Sequence, residues 1–158
     1  MKSGILTEGL VKQAIALATP SINTILWKKG TTWGPKWVAI AFSAPWLDEP
    51  VTAIVGEVKE WKEEWGKPRS FEAIALAKLQ TAFGKGENTG HMVACTPWRL
   101  VEGDYLYRGG AYRDGLAASA SGAYGETDEG IAEIVLVMVR MLCNLRVRIL
   151  KEAKISHL

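Results

Sequence analysis

The sequence is poor in the residues that most often carry chemistry. It has two histidines, His91 and His157, and two cysteines, Cys95 and Cys143, in 158 residues. No CxxC pair occurs, so neither a disulfide framework nor a structural zinc site is expected, and no metal site is assigned. A reducing, cytoplasmic setting is the expectation. An excess of one charge is missing too. The formal net charge of +2 is too small for an electrostatic grip on a phosphate backbone, so no nucleic-acid partner is expected. Long apolar runs are also absent. The stretch from Ile131 to Leu150 contains Glu133, Arg140, Arg146 and Arg148, so no membrane span or membrane partner is expected. Near the start, Glu8, Lys12 and Gln13 interrupt any apolar region before the "ALA" at 16–18, which argues against a signal peptide. There is no GxSxG, P-loop, HExxH or helix-opening GxGxxG. Whether the chain is an enzyme stays open.

What is present reads as one domain over residues 1–158, with 48% hydrophobic and 23% charged residues. Residues 7–28 have a helical pattern with Thr7 as N-cap. Thr19-Pro20 predicts a kink or a second helix start, and Gly30 a stop. The runs "KWVAIAFS" (36–43) and "VTAIVGEV" (51–58) flank "APWLDEP" and predict two antiparallel strands. Residues 59–69 are charged and bear Trp61 and Trp65, which fits a loop or exposed turn. Ser70 caps a second helix ending near Gly84, with Phe71, Ile74, Ala75, Leu79, Ala82 and Phe83 at helical spacing. Strands are expected at 91–96, 104–108 and 115–121, with a turn starting at Gly109-Gly110. A last helix runs from near Thr127 to about Lys154, with Asp128 and Glu129 favouring the positive end of its dipole. The order is helix, two strands, helix, three strands, helix. It predicts an α/β (α+β) domain of profilin-like, three-layer architecture, with a five-stranded antiparallel sheet between helices.

Several residues stand out. Lys78 interrupts the apolar stripe of the second helix, so its ammonium must be paired or line a cavity, unless its stem carries the head out to water. Asp128 is a candidate partner. His91 and Cys95 share a face of an expected strand, and imidazole and thiolate are both competent haem-iron ligands; a strand-end histidine and a buried small cysteine are the plainer reading. The small-residue strand around Ser119 permits close approach of a helix or a flat ligand. Of seven tryptophans, Trp33, Trp37, Trp46, Trp61 and Trp65 surround the first two strands, as a pocket wall or an interface anchor. The final helix shows two apolar stripes. Ile131, Ile134, Val135, Met138, Met141, Leu142, Leu145 and Ile149 form one; Leu136, Val139, Cys143, Val147 and Leu150 form the other. One stripe covers the domain's own sheet, so the second predicts a homo-oligomer built from dimers.

Two stretches carry a resemblance. "SFEAIALAKLQTAF" places Ala75, Lys78, Thr81 and Ala82 in one helix. "GGAYRDGLAASASGAYGETDEGIAE" gives a Gly-Gly pair, a small-residue strand ending at Ser-Gly, then Asp128-Glu129 at a helix start. Together with the element order, over roughly residues 36–140, they resemble the GlcG/HbpS-like haem-binding family (PduO C-terminal-like, DUF336). The resemblance implies a non-enzymatic, oligomeric binder of haem or a related tetrapyrrole. Lys78, His91, Cys95, Ser119 and Asp128 are then the candidate binding residues. The alternatives are an enzyme or sensor holding a small carboxylated metabolite with Lys78 as anion anchor, or a purely structural oligomer.

Overall fold

The computed structural model describes residues 4–59 and 70–158. Helix α1 (Glu8–Trp27) leads into strands β1 (Lys36–Ser43) and β2 (Val51–Glu57). Helices α2 (Phe71–Lys85) and α3 (Thr89–Cys95) follow, then a short 3-10 turn, Pro97–Arg99. Strands β3 (Gly110–Arg113) and β4 (Leu116–Ser121) precede the long helix α4 (Gly125–Glu152).

The strands form one antiparallel sheet in the order β2-β1-β4-β3. Side chains alternate across it, as the two-residue period of a strand requires. Val38, Ile40 and Phe42 of β1, with Leu116, Ala118 and Ala120 of β4, join the core against α1 and α4. Ala39, Ala41 and Ala117 point the other way, into a second cluster with Phe71, Ala75 and Leu79 of α2. The sheet is therefore a middle layer between helices. The small residues of β4 let α2 pack close: the Ser119 hydroxyl donates to the Ala75 carbonyl at 2.6 Å.

The first correction concerns the strands. Among the described residues the sheet has four strands, not five. "HMVACT" is not a strand: residues 89–95 are helical, and Thr89 and Met92, three apart, are the buried positions. A short apolar run does not separate strand from helix by period. Residues 104–108 also form no strand, and the Tyr105 N–H is taken by the Thr81 hydroxyl of α2 at 2.9 Å. The hairpin turn lies at Asp114-Gly115, both at positive φ, rather than at Gly109-Gly110. Two such residues are what a two-residue hairpin with the sheet's twist demands. Gly110 instead opens β3.

The second correction concerns α1, which is one helix through Pro20, so no second helix starts there. Its buried face, Val11, Ala14, Ile15, Ala18, Ile22 and Leu26, continues across the proline. That packing outweighs the backbone hydrogen bond the proline cannot make. The third concerns α4. Leu136 and Val139, expected on an uncovered stripe, are wholly buried with Ile131 and Val135. The two stripes merge into one broad buried face, and the exposed apolar side chains are Val137, Met141, Leu145, Val147 and Ile149. The last concerns boundaries. α4 starts two residues earlier than expected, and α2 ends at Lys85 with Gly86 as its left-handed cap. Apart from Lys59, the 59–69 stretch with Trp61 and Trp65 lies outside the described residues.

Candidate functional site

The elements converge where β4 feeds α4. Ser121, Gly122 and Ala123 carry the chain off the sheet, and Gly122 holds φ +142° with no room for a side chain. A Cβ there would sit 2.4 Å from the Trp37 carbonyl. Above this corner lies a cavity of about 230 Å³. Trp33, Phe71, Ile74, Tyr105 and Tyr107 form its walls, Arg108 and Glu126 its rim, and Lys78 and Asp128 its floor. Trp33 meets Phe71 edge-on at 6.1 Å, and the Tyr105 and Tyr107 rings lie 5.5 Å apart.

The floor is a buried ion pair. Lys78 Nζ donates to Asp128 Oδ2 at 2.9 Å and to the Ala120 carbonyl at 3.1 Å. The Ala123 N–H donates to Asp128 Oδ1 at 3.0 Å, so the carboxylate also ties down the start of α4. Burial raises the Asp128 pKa from 3.8 to about 6, against the pull of Lys78 and the backbone donors. Gly109 is required beside this pair, because a Cβ there would lie 2.6 Å from Lys78 Nζ.

The rim differs in character. Tyr124 stands at the N-cap of α4 without a side-chain cap bond. First-turn N–H groups at such an uncapped helix start favour an anion. Arg108 stands beside them, half-exposed. Its guanidinium meets Glu129 at 2.7 Å and Glu126 at 3.9 Å. Its side chain lies against Gly90 and Gly125, where a Cβ would approach it to 2.5 and 3.0 Å.

Of the residues singled out from sequence, the structure brings Lys78 and Asp128 together in this cavity. Ser119 is buried and occupied with Ala75 on the α2 face of β4, and it does not line the cavity. His91 and Cys95 lie one helical turn apart on α3, exposed and outside the cavity, with His91 Nε2 2.9 Å from Glu87. Trp37 packs on Phe71 at 4.6 Å, while Trp27, Trp46 and Trp98 are exposed. Sequence reading passed over Arg108, Tyr105 and Tyr107. Their signal was an aromatic-basic "YLYR" directly before Gly109-Gly110, read as an ordinary strand. Among the described residues, no group of three or more His, Cys, Asp or Glu is arranged to hold a metal ion.

A larger groove of about 680 Å³ lies at the far end of α4, between residues 4–7, Trp46, Leu47, Leu116, Cys143 and Val147. It is open and mostly apolar, and burial raises the Cys143 thiol pKa, which disfavours thiolate chemistry there. The smaller cavity is the better candidate, because a buried ion pair, whose Asp128 carboxyl is raised in pKa by burial, meets aromatic walls there. No helix among the described residues is long and apolar enough to cross a membrane.

No family model matches the chain, and no curated protein does. Solved structures do match. HbpS aligns over 87% of this chain and 92% of its own, with TM-score 0.56 and 17% identity. The Klebsiella pneumoniae protein ORFY, of the DUF336 family, aligns over 85% of this chain and 90% of its own, with TM-score 0.60 and 15% identity. What such distant sequences share with this chain is its architecture: helices around an antiparallel sheet, the fold of HbpS and of the DUF336 protein ORFY.

Proposed function

We propose that this chain is a GlcG/HbpS-like (DUF336) ligand-binding domain without catalytic machinery, and that it holds a small planar carboxylate in the cavity at the start of α4. The observation that carries the reading is the meeting of aromatic walls, the Arg108 guanidinium and an uncapped helix start around one cavity. Rings stack on the walls. A carboxylate takes hydrogen bonds from the first turn of α4 and from Arg108. Lys78, whose ammonium donates to Asp128 and Ala120, is in this reading not the group that meets the carboxylate. It shapes the floor instead. The volume of about 230 Å³ suits a body of one or two fused rings.

Haem or a related tetrapyrrole is the second reading, favoured by the fold shared with HbpS and by the sequence resemblance. The cavity does not fit that group well. It is below the roughly 300–1,000 Å³ of pockets that enclose drug-sized ligands. Among the described residues, no histidine, cysteine or methionine lines it. An imidazole or thiolate ligand would have to come from outside this lining, and His91 and Cys95 on α3 are the candidates taken from the sequence. Two titrations separate the readings. Saturable thermal stabilisation by 2-naphthoate, without a saturable Soret change on adding hemin, supports the carboxylate reading. A stoichiometric Soret change, lost in His91→Ala or Cys95→Ala, with no effect of naphthoate, supports haem and rejects the first reading.

A further inference from the structure

Resting on the carboxylate reading of this cavity, we propose that its ligand carries a second, uncharged oxygen at the end opposite the carboxylate. The Ser121 hydroxyl and the Lys78 ammonium bind that oxygen at the floor.

Two serines of β4 carry the argument. Ser119 and Ser121 stand two residues apart, so both project from the sheet face that α2 covers. Both are buried, at 0% and 4% exposure. Ser119 is satisfied, since its hydroxyl donates to the Ala75 carbonyl at 2.6 Å. The Ser121 hydroxyl has no hydrogen-bond partner among the described residues. A polar group taken out of water and left unpaired costs free energy, so such a group calls for an explanation. Among the described residues, the Thr96 hydroxyl is the one side-chain group both unpartnered and sealed from all access. The Ser121 oxygen is therefore still open, and the cavity that the residue lines is what it opens onto.

Lys78 stands beside it. Its ammonium donates to the carbonyl of Ala120, the residue directly before Ser121, at 3.1 Å, and to Asp128 at 2.9 Å. An ammonium has three N–H groups, so one is left over. Lys78 lines the same cavity and has no third acceptor among the described residues. Two donors thus meet at one floor, and a ligand oxygen with two lone pairs can accept from both. Asp128 narrows the class. It lines the floor too, and its carboxylate would repel a second carboxylate there. A ring hydroxyl or ring carbonyl answers both conditions.

Calorimetric titration with four compounds tests this. The wild type should bind 6-hydroxy-2-naphthoate about tenfold more tightly than 2-naphthoate, the gain from one charge-assisted hydrogen bond. 3-Hydroxy-2-naphthoate, whose hydroxyl sits beside the carboxylate, should show no such gain. 2,6-Naphthalenedicarboxylate should bind more weakly than 2-naphthoate. In Ser121→Ala the preference for the 6-hydroxy compound should shrink to about threefold or less. Equal wild-type affinity for 2-naphthoate and its 6-hydroxy derivative overturns the inference, as does an equal gain from the 3-hydroxy isomer. Tightest binding of the dicarboxylate overturns the uncharged oxygen. A preference undiminished in Ser121→Ala removes Ser121 from the floor. One readout needs no ligand: Ser121→Ala loses a hydroxyl that bonds to nothing, so it should melt no lower than the wild type. A lower melting temperature shows that the hydroxyl is already engaged and overturns its role. Failure of the wild type to bind any of the four rejects the carboxylate reading and this inference together, whereas binding of 2-naphthoate without a 6-hydroxy preference rejects this inference alone.

Discussion

Lys78 of α2 and Asp128 of α4 form an ion pair at 2.9 Å with both side chains almost wholly buried. The pair stitches the helices on opposite faces of the sheet around the corner where β4 ends. Taking two charges out of water is costly, so its contribution to stability is small as a pair and large in the breach. Lys78→Met should therefore destabilise the fold by up to about 3–5 kcal/mol near neutral pH, because Asp128 is left buried without its counter-charge and must take up a proton. Adding Asp128→Leu should recover much of that loss. Urea unfolding of the two single variants and the double measures the coupling. Additive losses would mean that the two residues do not act together.

The same pair makes a pH prediction. Folding raises the Asp128 pKa from 3.8 to about 6, chiefly through burial. The folded state then binds that proton more tightly than the unfolded chain does. The stabilisation from a neutral Asp128 is fully present below about pH 4 and is lost as pH rises through about 6. Other carboxylates titrate over the same pH range, so the test is a difference. Unfolding free energy of wild type minus Asp128→Asn should fall by roughly 3 kcal/mol across that window and stay level above it. A difference that rises with pH contradicts the assignment.

Gly122 lies at φ +142°, where a Cβ would be 2.4 Å from the Trp37 carbonyl and 3.1 Å from Val38 Cα. Gly122→Ala should cost about 1–3 kcal/mol through strain and displacement of β1 from the corner. Gly30→Ala, also at positive φ but with open space around it, should cost less. Thermal melts of the two variants rank them.

Arg108→Gln removes the rim cation. Its ion pairs with Glu126 and Glu129 are half-exposed, so stability should change by less than about 1 kcal/mol. Affinity for 2-naphthoate should drop about tenfold, the loss of one charge-assisted contact. Calorimetric titration reads it. Equal affinity in wild type and variant would remove Arg108 from the site.

Much of the scaffold was legible. The repeat of Phe71, Ile74, Ala75, Leu79 and Ala82 gave α2, and the runs at 36–43 and 51–58 gave β1 and β2 nearly to the residue. The pairing of Lys78 with a residue fifty positions away was anticipated because an ammonium on an apolar stripe needs a counter-charge. What escaped were short elements. The six residues from His91 fit a strand or a helix equally, and only packing of Met92 into the domain decides between them. Asp114-Gly115 was a hairpin signal overshadowed by Gly109-Gly110, whose glycines serve Lys78 and α2 rather than a turn. Arg108, Tyr105 and Tyr107 escaped because nothing local in "YLYR" says that its backbone leaves the sheet and lays these side chains over α4. Leu136 and Val139 looked like a second surface because helical period alone does not tell how wide a face the sheet and α1 together cover.

The account stands most directly on where a planar carboxylate sits. A crystal structure of the protein grown with 2-naphthoate should show the ring between Trp33 and Tyr105, with its carboxylate on the first-turn N–H groups of α4 and on Arg108. Density for naphthoate confined to the apolar groove beside Trp46, with the α4 cavity filled only by water, would contradict it.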